Sequence, residues 1–161
     1  MSAGAGGANP KVVRDLATLA PKFRAAVEEA IAGCARDGMD AIVYEAYRSP
    51  ELQAAYYARG RTEIPPTHTV TNAKSNLYSW HGYGLAVDVI SASCGWSVDA
   101  EWFADVAACF REQGCRWGGE WKQPDLPHFQ WGLCRPSPSE QARALVRRNG
   151  VRAVWSLLEA A

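Results

Sequence analysis

Several absences narrow what this sequence can be. No apolar run approaches the roughly 18 residues that a membrane helix requires, so stable membrane insertion is not expected. Basic charge is not in excess: 17 Lys and Arg stand against 17 Asp and Glu, with a pI near 6.8. A nucleic-acid-binding protein ordinarily carries such an excess, and none is expected as a partner. Residues 1–10 hold neither a basic cluster nor an apolar stretch. They read as a flexible Gly/Ala-rich lead rather than a secretory signal, in a protein made in the cytoplasm. The five cysteines (Cys34, Cys94, Cys109, Cys115, Cys134) include no C-x-x-C pair and are odd in number, which suits reduced thiols. A Cys115–Cys134 bridge is the one disulfide left open.

At 161 residues the chain has the length of one domain. Its composition, 48% hydrophobic and 21% charged, is that of an ordinary globular protein. Phe23, Val27, Ile31 and Cys34 repeat at helical spacing and predict a helix over 21–34, stopped near Gly38. Ile42, Val43, Tyr44 and Tyr47 predict a strand over 41–48. Ser49-Pro50-Glu51 has the cap, the first-position proline and the early acid of a helix start, and Gly60 is its expected end. Residues 61–79 form a long loop, of the kind that usually carries function. A short strand over 85–90 follows, apolar except for Asp88. Asp99 caps a helix whose Phe103, Val106, Ala107 and Phe110 share a face. Short strands are predicted at 115–117 and 128–131, with a Gly-Gly turn after the first. A capping box at Ser137-Pro138-Ser139-Glu140 opens a helix to about Asn149, and Val151, Val154, Trp155 and Leu158 mark one more. This order has no regular βαβ alternation and predicts a single α+β domain. Its divisions are a lead (1–10), a main body (11–134) and a helical tail (135–161) packed on the same domain.

Histidine is scarce, with only three in the chain, His68, His81 and His128. Asp88 lies in an apolar strand, where a carboxylate is costly unless paired or metal-bound. Two imidazoles and one carboxylate make a three-ligand set that leaves a fourth tetrahedral position open, the layout of a catalytic zinc site. Asp125, three residues before His128, is placed to act as general base. From spacing alone a second reading stands beside this one: core histidines and a buried, hydrogen-bonded aspartate.

The wording of these segments adds a resemblance. Ser79-x-His81-x-x-Gly84-x-Ala86-x-Asp88, followed by Asp125-x-Pro127-His128-Phe129, resembles the zinc peptidases of the D-Ala-D-Ala carboxypeptidase and L-alanyl-D-glutamate endopeptidase family. These are the LAS or VanY-type cell-wall enzymes, which include many phage endolysins. Tyr47-Arg48-Ser49 with Gln53 and residues 56–60, and Trp117-Gly118-Gly119-Glu120-Trp121, are similar to other segments of the same family. The resemblance spans roughly residues 15–132.

The resemblance implies a hedgehog/DD-peptidase-like fold, with a small, mainly antiparallel sheet flanked by helices. It implies Zn2+ as cofactor, His81, Asp88 and His128 as its ligands, and Asp125 as the base, with Glu120 as the rival for that part. It implies Arg48 as the group that anchors a substrate carboxylate or polarises the scissile carbonyl, and Ser79, Gln53 and Trp121 as substrate-binding residues. Trp80 is a second groove candidate among the tryptophans. His68 reads as a solvated loop residue. From Arg135 onward five Arg face two Glu, which reads as a solvated helix face. The implied substrate is a peptidoglycan stem peptide, the bond L-Ala-D-Glu and the role that of a monomeric bacteriolytic endolysin acting on the wall after release. The alternatives are a D-Ala-D-Ala carboxypeptidase and, from another class, a non-catalytic zinc-binding module. A cysteine hydrolase using Cys115 with His128 lacks any nucleophile motif around the thiol.

Overall fold

Three helices of the computed structural model begin where a side-chain oxygen takes an otherwise orphaned backbone N–H. Ser49 Oγ accepts from Leu52 N–H at 3.1 Å before α2 (Pro50–Ala58). Asp99 accepts from Trp102 N–H at 2.9 Å before α3 (Ala100–Glu112), and Ser139 from Ala142 N–H at 3.1 Å before α4 (Glu140–Asn149). Each such cap contributes about 1 kcal/mol to its helix. The last cap corrects the predicted capping box: the capping residue is Ser139, and Glu140 lies in the first turn rather than reaching back from the third position. α1 (Pro21–Arg36) starts instead on a first-turn proline, and α5 (Val151–Leu157) follows α4 directly through Gly150.

The structure describes residues 10–161, so most of the expected flexible lead lies outside the described residues. Four strands, β1 (Ala41–Glu45), β2 (Ala86–Ser91), β3 (Cys115–Trp117) and β4 (His128–Trp131), form one sheet in the order β1-β2-β4-β3. All its neighbours are antiparallel. The domain is the α+β arrangement expected, a small antiparallel sheet flanked by helices. The strand predicted over 41–48 ends at Glu45. Beyond it the backbone leaves the sheet: Ala46 N–H donates to the Val13 carbonyl and Arg48 N–H to the His81 carbonyl.

Alternation along the strands divides the sheet into a core face and a site face. Val87, Val89 and Phe129 are fully buried, and Phe129 stacks on Phe110 of α3 with ring centroids 4.2 Å apart. Phe23 of α1 meets Trp131 edge-on at 6.4 Å. Burial of side chains of this size contributes roughly 1.5–3 kcal/mol each. Asp88, His128 and Gln130 occupy the intervening positions and line up on the other face. Cys34, Cys109, Cys115 and Cys134 are buried free thiols and Cys94 is exposed, so the Cys115–Cys134 bridge is not formed.

The C-terminal helices are tied to the site-bearing turn by indole hydrogen bonds. Trp155 Nε1 donates to the Tyr83 carbonyl at 2.6 Å, and Trp131 Nε1 to the Leu158 carbonyl at 2.9 Å. Ala142, Val154 and Ala160 join the core. Among the described residues no helix is long and apolar enough to cross a membrane.

Candidate active site

Asp88 and His128 are Cα partners across β2 and β4, so their side chains leave the sheet on one face. On its other side Asp88 is paired with Glu45. A bulge makes this possible: Val43 pairs with Val89, yet Glu45 pairs with Asp88, leaving Tyr44 as the extra residue. Tyr44 and Glu45 therefore both line the cleft, where a regular pleat would send consecutive side chains to opposite faces. His81 arrives from a separate element, the 3-10 turn Trp80–Tyr83, where Ser79 Oγ accepts from the His81 N–H at 3.4 Å. Gly84 ends that turn with φ +68°, and a Cβ there would lie 2.7 Å from the Thr18 carbonyl oxygen.

The three side chains converge. His81 Nε2 is 3.3 Å and His128 Nδ1 3.8 Å from Asp88 Oδ1, and the candidate ligand atoms all lie within 4.8 Å of one another. Zinc bonds of about 2.0–2.1 Å in a tetrahedron separate ligands by about 3.4 Å, so the trio needs only a small contraction to hold the ion.

The hydrogen bonds behind the two imidazoles supply a stronger test of fit. His81 Nδ1 lies 3.0 Å from the Ala46 carbonyl, which can only accept, so Nδ1 carries the proton and Nε2 offers its lone pair to the centre. Gln130 Nε2 donates to the Arg135 carbonyl at 2.8 Å, which turns Gln130 Oε1 toward His128 Nε2, also at 2.8 Å. His128 therefore donates through Nε2 and presents an unprotonated Nδ1. Fixing the tautomer through the outer nitrogen is how metal-ligating histidines are ordinarily oriented. Burial, reinforced by His81, pushes the His128 pKa down to about 4, which keeps that ring neutral and able to ligate. Burial acts to raise Asp88, but His81, His128 and Arg48 more than offset it and hold its carboxyl well below the usual range. The residues fit a zinc ion.

Arg48 is 7% exposed and almost fully engaged. Its Nε and NH2 donate to Glu45 at 2.6 and 3.1 Å, its NH1 donates to Gln53 Oε1 at 2.9 Å, and NH2 lies 3.7 Å from Asp88 Oδ2. Asp125 enters from the loop before β4. The residue is exposed, but its carboxyl borders the cleft, where lost hydration and the nearby Asp88 charge push its pKa up to about 6. Gly118 sets its position: Asp125 N–H donates to the Gly118 carbonyl at 2.9 Å, and a Cβ on Gly118 would lie 2.6 Å from the Asp125 carbonyl oxygen.

Arg48, Ser79, Trp121 and Asp125 thus border one cleft of about 460 Å³ with His81, Asp88 and His128. Trp121 packs against the His128 ring with centroids 4.9 Å apart. Gln53 stands apart from the expected substrate-binding set. It is fully buried behind the cleft, orients Arg48, and donates to the Ala73 carbonyl at 2.7 Å, so it braces the 61–79 loop instead of meeting solvent. Trp80 is mostly core, its Nε1 held by the Arg135 carbonyl at 2.6 Å. Glu120 is exposed, ion-paired with Arg111 and not among the cleft residues, and His68 is exposed in its loop. Sequence patterning did not single out Glu45, Gln130 or Trp96. Glu45 carried a usable signal, since a carboxylate beside Ile42 and Val43 raises the same desolvation question as Asp88. Trp96, half exposed on the opposite wall against Tyr44, carried none.

Residues 72–131, which contain all three candidate ligands and Asp125, match a family model described as D-alanyl-D-alanine carboxypeptidase. The chain is 31% identical over 112 residues to the peptidoglycan L-alanyl-D-glutamate endopeptidase CwlK of Bacillus subtilis. That match covers 62% of this chain and 65% of the relative, so it leaves a third of the relative unmatched. The L-Ala D-Glu endopeptidase ChiX of Serratia marcescens superposes with a TM-score of 0.56 at 25% identity, covering 75% of this chain and 88% of that one. The vancomycin-resistance D,D-pentapeptidase VanY, solved with Zn(II), shares the fold at a TM-score of 0.51 and 14% identity, covering 82% and 80%. The sequence is thus similar to a D-alanyl-D-alanine carboxypeptidase model over 72–131 and to an L-alanyl-D-glutamate endopeptidase, and the solved structures share the fold.

Proposed function

We propose that the chain is a zinc peptidase of the LAS or VanY type that hydrolyses an amide bond of the peptidoglycan stem peptide, the L-Ala-D-Glu bond first. The observation that carries this reading is the convergence of His81, Asp88 and His128, each imidazole with its lone pair turned inward, beside the candidate base Asp125 in one cleft. CwlK and ChiX are both endopeptidases of that bond, which supports the choice.

His81 Nε2, Asp88 Oδ1 and His128 Nδ1 would hold the zinc ion. When bound, zinc supplies Lewis-acid polarisation of the scissile carbonyl and lowers the pKa of water. Asp125 takes the proton of the attacking water onto its carboxylate and returns it to the leaving amine nitrogen. Arg48 keeps N–H groups beyond those given to Glu45 and Gln53, and these face the developing oxyanion. Ser79 and Trp121 shape the walls against which the peptide lies.

The role is that of an endolysin, supported by the Asp125-Leu126-Pro127-His128 wording. The protein is made in the host cytoplasm, works as a monomer and reaches the wall after release. A D-Ala-D-Ala carboxypeptidase is the second reading, favoured by the family model over 72–131. Mass spectrometry of peptidoglycan digested by the zinc-loaded protein tests both, with a chelated sample and Asp125→Ala alongside. A metal-dependent stem fragment beginning with D-Glu supports the endopeptidase. Loss of terminal D-Ala alone moves the assignment to the carboxypeptidase, and no metal-dependent product leaves a zinc-binding module.

A further inference from the structure

Three arginines flank α2, Arg48 before it and Arg59 and Arg61 after it, and the structure puts them to different uses. Arg48 is buried, its charge is balanced by Glu45, and Gln53 takes a further N–H. Arg61 holds the long loop: its NH1 donates to the Tyr57 carbonyl at 2.7 Å and its NH2 to the Thr71 carbonyl at 3.0 Å, with the guanidinium 3.7 Å from the Tyr57 ring centroid. Arg59 does neither. It is exposed, it lines the cleft, and among the described residues its side chain has no carboxylate within ion-pair distance and no hydrogen-bond partner.

Arg59 is nonetheless held in place. Its N–H closes the end of α2 on the Tyr56 carbonyl at 3.2 Å, and Gly60 N–H donates to the Glu63 carbonyl at 2.9 Å, pinning the backbone on both sides. Its guanidinium lies 4.9 Å from the Tyr56 ring centroid, a cation–π contact that orients the planar fork without consuming its N–H groups. The same ring carries Arg48 at 4.8 Å, so Arg59 sits one aromatic residue from the candidate centre.

The cleft's other charges make this cation distinctive. Glu45 balances Arg48, Asp88 belongs to the ligand trio, and Asp125 is the candidate base. A substrate anion entering among three carboxylates needs a cation that is not already neutralised. The proposed substrates supply such an anion. A glutamyl residue linked through one carboxyl leaves its other carboxyl free, and a terminal D-Ala ends in a carboxylate.

We infer that Arg59 is a specificity-determining residue that recognises a free carboxylate of the stem peptide beside the scissile bond; this rests on the peptidase reading above. The test compares kcat/KM of the zinc-loaded wild type, Arg59→Gln and Arg59→Lys on synthetic stem peptides. In these peptides the free glutamyl carboxyl and the terminal carboxyl are separately converted to carboxamides. The wild type is expected to prefer the free acid at one of the two positions by about tenfold, the order of a charge-assisted contact at a partly solvated site. Arg59→Gln collapses that preference, chiefly through KM, and Arg59→Lys keeps part of it. The position whose amidation abolishes the difference identifies the carboxylate. An active enzyme whose acid-to-amide ratio at both positions is the same in wild type and Arg59→Gln overturns the assignment alone. Absence of any cleavage by the zinc-loaded wild type removes the peptidase reading and this assignment with it.

Discussion

Glu45 holds Arg48 along one edge of its guanidinium, with Oε1 2.6 Å from Nε and Oε2 3.1 Å from NH2. The pair is almost entirely out of water, so its two halves are not independent. Removing one partner of a buried pair leaves an uncompensated charge, which destabilises by about 3–5 kcal/mol. Glu45→Ala is expected to lose stability on this scale in chemical denaturation. Glu45→Gln, which keeps an acceptor for Arg48, is expected to lose less than half as much. Equal losses in the two variants would show that the charge of Glu45, and not its acceptor oxygens, sets the cost, and no loss in either would show that Arg48 is neutralised elsewhere.

The hydrogen bond from His128 Nε2 to Gln130 fixes which ring nitrogen faces the centre. Gln130→Leu removes that acceptor while conserving volume. Zinc affinity is expected to fall by about 10- to 100-fold, the usual effect of losing an outer hydrogen bond to a ligating histidine. Competition against a chromogenic chelator reads this directly, and an unchanged Kd would sink the tautomer account.

Asp125 acts as a base only when ionised. Burial and Asp88 raise its pKa to about 6 in the metal-free protein, and a bound dication pulls it back down. Activity is therefore expected to fall as pH drops, with the acid limb of kcat/KM at or below about 6. Asp125→Ala should lose the bulk of kcat, by 10²–10⁴-fold for a missing general base, while zinc affinity stays within a few-fold. A full-activity variant at neutral pH would reassign the base.

Gly118 leaves no room for a Cβ against the Asp125 carbonyl oxygen. Gly118→Ala is expected to displace the 118–125 loop and lower kcat by about tenfold or more, as small misplacements of catalytic groups do. Its zinc affinity is expected to fall less than kcat, because the added Cβ would lie 3.1 Å from the His128 Cβ, a milder contact than the one with Asp125. Parallel loss of zinc would show instead that His128 moves with the loop.

Zinc bound to the folded state alone adds stability by mass action, about 2.7 kcal/mol at a free concentration 100 times Kd. Chelation is expected to lower Tm, and zinc to restore it. In an Asp88→Asn variant the same zinc addition should shift Tm far less.

Much of this molecule was legible in one dimension because it depends on local rules. Ser49 and Asp99 cap helices through hydrogen bonds that span three residues, and Phe103, Val106, Ala107 and Phe110 share a face by helical periodicity alone. The scarcity of histidine and the oddity of Asp88 in an apolar strand marked the candidate centre before any contact was known. The tertiary structure decided what depends on pairing between distant segments. The bulge at Tyr44 brings Glu45 opposite Asp88, and the His81 ring is oriented by the carbonyl of Ala46, 35 residues earlier in the chain. The folding of the 61–79 loop over α2 turns Gln53 from an apparent surface residue into a buried brace and leaves Arg59 facing the cleft. Register, burial and charge balance arise between elements, and no local spacing encodes them.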